Sequence, residues 1–175
     1  MTVEIRTLRP HDDRSRFHCG DEALDLYFHK FAGQHQFRHH IGVTYIAVND
    51  TEILGFVTVS PATLDADTGS GKRLPPFPIP VLRIARLGVE HSFQGQGIGK
   101  ELLKLCLELA DQMQKEIGCT GVLVDAKEAS VKFYSRLGFK ELVTLQGEGA
   151  WRPKTTPMYI PLGSIPKKKK KSKFK

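Results

Sequence analysis

The sequence predicts an α/β (α+β) fold in which helices pack on one mixed β-sheet. Three observations predict it. An apolar run over 81–89 leads through a glycine-rich turn, Gln94-Gly-Gln-Gly-Ile-Gly-Lys100, straight into a long stretch of helical periodicity. Beyond that stretch strand and helix patterns alternate, as they do when helices lie on a sheet. Upstream, two β-rich runs flank a short turn at Asn49–Glu52 and read as a hairpin.

Taken in order, Thr2–Leu8 alternates Val3 and Ile5 with polar neighbours, a first strand. Asp21 is a good N-cap for a helix on which Leu24, Tyr27, Phe28 and Phe31 recur at helical spacing. Gly33 is expected to break or bend that helix, with a second helical piece over Gln34–His40. Val43–Val48 and Ile53–Val59 are the arms of the hairpin. Residues 61–80, with Pro75, Pro76, Pro78 and Pro80, read as a connector too proline-dense for a central strand. After the glycine turn, Ile98, Leu102, Leu105, Cys106, Leu109, Met113 and Ile117 mark one face of a helix that Gly118 ends. Gly121–Val124 is a buried-type strand, Glu128–Leu137 a shorter helix stopped by Gly138, and Phe139–Val143 and Met158–Leu162 the last strands.

With 175 residues the chain fits one domain, expected over 1–163, followed by a basic tail at 164–175. The net charge of +7 is located in that tail, which carries seven lysines; the body holds 19 basic residues against 19 acidic ones. The tail is expected to be disordered by composition; salt-sensitive affinity for RNA and a merely solubilising role both stay open for it. Cys19, Cys106 and Cys119 are odd in number, lack metal-ligand spacing and read as free thiols of a reducing cytoplasm. His35 and His39 stand four apart without a third ligand, so no metal is expected. No signal peptide and no membrane-spanning run is recognised.

The chemistry concentrates at the turn. Glycines at 95, 97 and 99 allow positive φ and leave the backbone bare, and a helix N-terminus behind them presents unpaired N–H groups and the positive end of its dipole. Such a turn is an anion site by construction. Lys100 is followed by Glu101 and not by Ser or Thr, which excludes a Walker loop, and the glycine spacing does not fit the dinucleotide fingerprint.

Gln94, Gly97 and Gly99 do fit Q-x-x-G-x-G, and this resembles the coenzyme A pyrophosphate loop of the GNAT N-acetyltransferases. Phe133-Tyr134-Ser-Arg-Leu-Gly-Phe139, about 35 residues on, strengthens the resemblance. It implies the GNAT fold, a mixed central sheet with splayed central strands, and acetyl-CoA as co-substrate. Residues Gln94, Gly95, Gln96, Gly97, Ile98, Gly99 and Lys100 would then hold the pyrophosphate, and the backbone of Leu87, Gly88 and Val89 the pantetheine arm. Tyr134 would sit beside the coenzyme sulfur. A phenol of pKa ~10 suits a leaving thiolate whose conjugate acid has a pKa of ~8.5. Lys127 and Ser130 depart from the common pattern, which has Asn and Ala there.

Phe17-x-Cys-Gly20, Leu24-Asp25-x-Tyr27-Phe28, Ala32-x-Gln34, Thr44-Tyr45 and the stretch 74–89 resemble more narrowly the GNAT toxins of bacterial toxin–antitoxin pairs. That resemblance spans the chain to about residue 162. It implies acetylation of the α-amino group of an aminoacyl-tRNA, a block of translation, a ribbon-helix-helix antitoxin as partner, and a homodimer. Residues 26–49 and 68–89 contain no acidic side chain, so Lys30, Arg38, Lys72, Arg73 and Arg86 are the candidates for tRNA contact.

Only Glu90 is placed to act as a base. An α-amine of pKa ~7.7–8.0 needs little help losing its proton, whereas a lysine at ~10.4 needs a base, so the pattern leans toward an α-amine. A small amine or protein N-terminus as acceptor, and a non-catalytic acyl-CoA- or RNA-binding module, remain open from the residues alone.

Overall fold

Among the described residues seven strands form one sheet: β1 (Glu4–Thr7), β2 (Val43–Asn49), β3 (Glu52–Leu64), β4 (Ile79–Val89), β5 (Gly121–Lys127), β6 (Lys140–Glu141) and β7 (Thr155–Pro161). Their spatial order is β1-β2-β3-β4-β5-β7-β6. The computed structural model describes residues 2–50, 52–64, 78–142 and 155–164. Every neighbouring pair is antiparallel except β4 and β5. Parallel strands need a crossover, and the helix α2 (Ile98–Glu116) supplies it. This is the mixed sheet with flanking helices that the sequence predicts.

Successive residues of a strand face opposite sides, and Phe56 and Val57 on β3 divide the core that way. On one side α2 buries Leu102, Leu103, Cys106 and Ala110 against Val57, Leu82, Ile84, Val122 and Val124. On the other, Phe28 stacks on Phe56 at 4.2 Å and Phe17 meets both rings edge-on. That second cluster fastens the N-terminal helical segment to the sheet. The segment opens with α1 (Glu22–Leu26), whose N-cap Asp21 accepts from the N–H groups of Ala23 and Leu24 as its sequence predicts.

Three expectations are corrected. Gly33 does not break the helix: it is helical (φ −64°, ψ −42°), and the chain runs through π turns at Tyr27–Phe31 and Gln34–Arg38. Its missing side chain serves packing instead, since a Cβ there would lie 2.9 Å from the Arg14 guanidinium. The connector expected over 61–80 is partly strand, β3 running on through Pro61 to Leu64 and β4 starting at Ile79. The β2 ladder stops at Val59, so Pro61 sits where β3 has an open edge. The Pro80 carbonyl accepts from Thr120 N–H, so the missing donor of Pro80 faces away from β3.

The buried face of α2 is also rotated from the expected one. Leu103 and Ala110 are fully covered, Leu105, Leu109 and Met113 only in part, and Ile117 is 80% exposed. The helix has ended by then: the Ile117 and Gly118 N–H groups both return to Met113 O, with Gly118 at φ +104°. A third short helix, α3 (Val131–Arg136), follows a 3-10 turn and stops at Gly138, φ +96°.

Gly121, at the start of β5, faces the Ile160 carbonyl and the Tyr159 ring so closely that a Cβ would stand 2.3 and 2.6 Å from them. Neither neighbour is free to retreat, because both belong to β7. Gly121→Ala is expected to destabilise the domain by about 2 kcal/mol, lowering Tm by about 5 °C in a calorimetric scan.

Candidate active site

The parallel ladder between β4 and β5 is three pairs long, Leu82↔Val122 to Ile84↔Val124. It stops for a reason visible on the other edge of β4. There Thr58 pairs with Arg86 and Val59 with Ile84, which leaves Ala85 as an extra residue, a β-bulge. A bulge bends and twists its strand, and here it turns residues 85–89 away from β5 while β3 continues to pair with them. A cleft of about 730 Å³ opens below the divergence. Ala85, Arg86 and Leu87 line one wall, Val124–Lys127 the other, Ser130 and Tyr134 lie at the start and middle of the α3 region, and the N-terminal segment contributes Leu24, Leu26, Tyr27, Phe31 and His35.

Beyond β4 the glycine turn takes the predicted form at two of its three glycines. Gly95 and Gly97 have φ +76° and +87°, and no atom lies within 4 Å of a Cβ built on either. Gly99 is already in the first turn of α2, where a Cβ would meet the Phe133 ring at 3.4 Å and Val89 at 3.6 Å, ordinary van der Waals contact. Glu101 N–H is the first of the helix to find an acceptor, Gly97 O; those of residues 95–100 find none among the described residues. The Gln94 side chain is not free for a ligand through its amide nitrogen, which donates to Cys19 O at 2.8 Å and Val89 O at 3.1 Å. Gly88 is required by the opposite face, where a Cβ would come within 2.9 Å of the Phe56 ring. The turn itself does not line the cleft; Val89 and Phe133 neighbour it at Gly99.

Tyr134 is 5% exposed, edge-on to Phe133 and Phe139, and its hydroxyl makes no hydrogen bond to the described residues. Burial pushes the phenol well above the usual tyrosine value, with a smaller push from the neighbouring Cys106 thiol. It therefore remains protonated throughout the neutral range. All three cysteines are free and buried. Burial likewise pushes the Cys106 thiol up to about 12, so it supplies no thiolate nucleophile.

The expected cations are dispersed. Arg86 holds its guanidinium 5.1 Å from the Tyr27 ring centroid, inside the cleft, and donates to Ala85 O. Lys30 and Arg38 are exposed on the π turns. Lys72 and Arg73 lie outside the described residues, as do most of the basic tail and the turn position Thr51. Glu90, the sequence's candidate base, is engaged structurally: its carboxylate accepts from His18 N–H at 2.7 Å. Lys127 pairs with Asp21, joining the end of β5 to the cap of α1. Ala85 and the aromatic wall of Tyr27, Phe31 and His35 were not marked as site residues by sequence. The first carries no local signal, Tyr27 and Phe31 read as a helix's apolar stripe, and His35 reads only as half of an incomplete metal pair.

The comparison that decides the family is direct. Residues 40–141 match the acetyltransferase (GNAT) domain family. The chain belongs to the GNAT family. It is thus an acetyl-CoA-dependent acetyltransferase by family, in agreement with the fold and enzyme class predicted from sequence. Among relatives of this GNAT protein, a tRNA-acetylating toxin of Mycobacterium tuberculosis is 28% identical over 141 residues, covering 77% of this chain and 82% of the relative. The probable toxin TacT of Sinorhizobium fredii is 26% identical over 166 residues, 87% of each. Of solved structures, AtaT complexed with acetyl-methionyl-tRNAfMet superposes with a TM-score of 0.78 at 27% identity, covering 93% of this chain and 96% of that one. A tyrosine-to-phenylalanine mutant of AtaT bound to the C-terminus of the antitoxin AtaR and acetyl-CoA gives 0.74 at 27% identity, covering 93% and 94%. Among the described residues no helix is long and apolar enough to cross a membrane, and no cluster of three or more metal-ligating side chains is present.

The protonation of Tyr134 is directly measurable. In an ultraviolet titration, the difference between the parent protein and Tyr134→Phe is expected to contain no phenolate signal below about pH 10, the ordinary midpoint for tyrosine. A normal titration would mean the hydroxyl is not buried as described.

Proposed function

We propose that this protein transfers the acetyl group of acetyl-CoA to the α-amino group of an aminoacyl-tRNA and so arrests translation as the toxin of a toxin–antitoxin pair. The observation that carries the reading is the Tyr134 hydroxyl, protonated and without a hydrogen-bond partner among the described residues. It stands where the β4–β5 opening meets a wall that is devoid of free carboxylates. The tRNA-acetylating activity named for relatives aligned over most of the chain supports the same acceptor.

The residues present fit acetyl-CoA. The open edge of β4 at Leu87, Gly88 and Val89 would hold the pantetheine arm, and the unpaired N–H groups of Gly95–Lys100 at the head of α2 would hold the diphosphate. When bound, the co-substrate supplies an activated acetyl thioester. The cleft positions an amine against it, and positioning accounts for most of the barrier lowering where the nucleophile is already neutral. An α-amine at ~7.7–8.0 is already neutral in about a quarter to two-fifths of molecules near pH 7.5, and ester formation with the ribose lowers its pKa further. Tyr134 Oη donates a hydrogen bond to the departing sulfur, which leaves as a thiolate and takes up the proton that the attacking amine releases; the raised pKa keeps the donor hydrogen on Oη. With Cys106 held as a thiol, the amine attacks the thioester directly and no acetyl-cysteine forms.

Lys30, Arg38 and Arg86 contribute phosphate contacts on the acceptor side, and binding is accordingly weakened by salt. The protein works in the cytoplasm as a homodimer and is neutralised by a ribbon-helix-helix antitoxin; AtaT bound to the C-terminus of AtaR supports an antitoxin partner.

Incubation with labelled acetyl-CoA and matched charged and deacylated tRNA pools tests the acceptor. Label is expected on the charged pool alone, released with the amino acid on mild alkaline hydrolysis. Label on free amines or protein N-termini instead would refute it. Tyr134→Phe is expected to lose about 100-fold or more in kcat, to abolish growth arrest, and to keep its calorimetric affinity for coenzyme A within about twofold (a factor of two is under 0.5 kcal/mol). A fully toxic variant would remove Tyr134 from the mechanism.

A further inference from the structure

We infer that the Lys127–Asp21 ion pair is a strap across the wide end of the cleft, and that Lys127 is thereby a positioning residue. It holds the element that carries Tyr134 in place against the N-terminal wall. The inference rests on the proposed reaction and adds the part that keeps the two sides of its site aligned.

The strands β4 and β5 are parallel and separate after Ile84 and Val124, so their C-terminal ends, Val89 and Lys127, mark the wide end of the opening. Past the divergence Asp125, Ala126 and Lys127 pair with β7 alone. The chain then turns through Glu128–Ser130 straight into α3 and Tyr134. This rim therefore lacks, on its inner side, the ladder that fixes the strand below it. The N-terminal segment is tied to the opposite rim. Gln94 Nε2 donates to both Val89 O and Cys19 O, while His18 N–H donates to Glu90 and His18 O accepts from His91 N–H. Two residues after Cys19, Asp21 meets Lys127. Among the described residues this is the one polar bond from the N-terminal segment to β5 or α3. A strap runs from Val89 through Gln94, Cys19 and Asp21 to Lys127, and a single ion pair closes it.

The carboxylate is held ready for this bond. Its Oδ1 caps α1, accepting from Ala23 N–H at 3.0 Å and Leu24 N–H at 3.2 Å, which leaves Oδ2 to the Lys127 ammonium. Ala23 and Leu24 line the cleft, as does Lys127 itself, so a shift at either end of the pair is carried directly to a lining residue. The Lys127 and Asp21 side chains keep 45% and 32% of their surface exposed. A pair so solvated adds little to overall stability, and its effect is local. Position is where a weak bond has a large consequence: a misplacement of about 1 Å between reacting groups costs on the order of 100-fold in rate.

Single-turnover acetylation of charged tRNA, with acetyl-CoA and tRNA both saturating, reads alignment apart from binding. Lys127→Met and Asp21→Asn are each expected to slow it about three- to fivefold, the population shift that an exposed ion pair imposes. Asparagine keeps the Oδ1 cap and removes only the charge. Coenzyme A affinity, by calorimetry, should stay within about twofold. Lys127→Arg, which keeps the charge, should recover at least about half of the parent rate. The double variant should be no slower than either single one, because both break the same bond. Losses that multiply in the double variant, a Lys127→Arg as slow as Lys127→Met, or single variants that keep the parent rate each overturn the inference. So does a fall in coenzyme A affinity in Lys127→Met, which would make Lys127 a direct contact. A tRNA KM that rises in Lys127→Met and falls in Asp21→Asn at unchanged rate overturns it too, as the signature of a phosphate contact. A parent protein that acetylates no charged tRNA overturns the proposed function, and this inference with it.

Discussion

The opening of the site depends on one extra residue in one strand. Ala85 interrupts the register between β3 and β4, and β4 leaves β5 one residue after Ile84. Without that divergence the two strands would stay hydrogen-bonded to their ends, and no main-chain edge would be available at Leu87–Val89. The bulge also changes which face the following side chains take. It delivers Arg86 and Leu87 to the cleft wall, with Gly88 on the Phe56 side where only glycine fits. A sheet ladder has thus been traded for a groove, at the one parallel pair in an otherwise antiparallel sheet.

A groove needs a second wall held at fixed distance, and the N-terminal segment is tied to the same corner by several polar bonds. Gln94 donates to Cys19 O, Glu90 accepts from His18 N–H, and His91 N–H donates to His18 O. Asp25 completes the loop, accepting from Cys19 N–H at 2.8 Å and meeting His18 Nδ1 at 2.8 Å. Burial raises the Asp25 pKa, but the Cys19 and His18 contacts outweigh it and the net shift is downward. Across the cleft Lys127 joins Asp21. The glutamine of the loop motif is therefore a fastening between the turn and the acceptor wall, and the loop offers an anion its backbone.

What was legible in the sequence was local. Positive φ at Gly95 and Gly97, the cap at Asp21 and the stop at Gly118 each follow from a residue's own conformational preference, and each is where the sequence places it. What was not legible depends on partners distant in sequence. Pro61 and Pro80 are allowed in strands because of where neighbouring ladders end, a matter of sheet register. Ala85 has no sequence mark at all, since a bulge belongs to a pair of strands. Gly33 looked like a breaker because its packing against Arg14 lies outside any local window. Ile117 continued the apolar spacing of α2 after the chain had left the helix.

The acid–base inventory is as informative as the cleft's shape. Glu90 is engaged with His18 N–H, Asp125 with Arg83, and Asp21 with Lys127, so among the described residues each of these three carboxylates already has a partner. Tyr134, raised by burial, stays protonated near neutrality and keeps a hydrogen to donate. In the proposed reaction, a site that serves the leaving group and not the nucleophile requires an acceptor with a substantial neutral fraction. Lysine side chains, at ~10.4, carry a neutral fraction near one in a thousand at pH 7.4, whereas α-amines at ~7.7–8.0 carry about a fifth to a third. That difference of more than two orders of magnitude is comparable to what a general base contributes. In the proposed reaction, a site without a free base among its described residues would thus select for α-amines, by protonation before any contact with the acceptor wall.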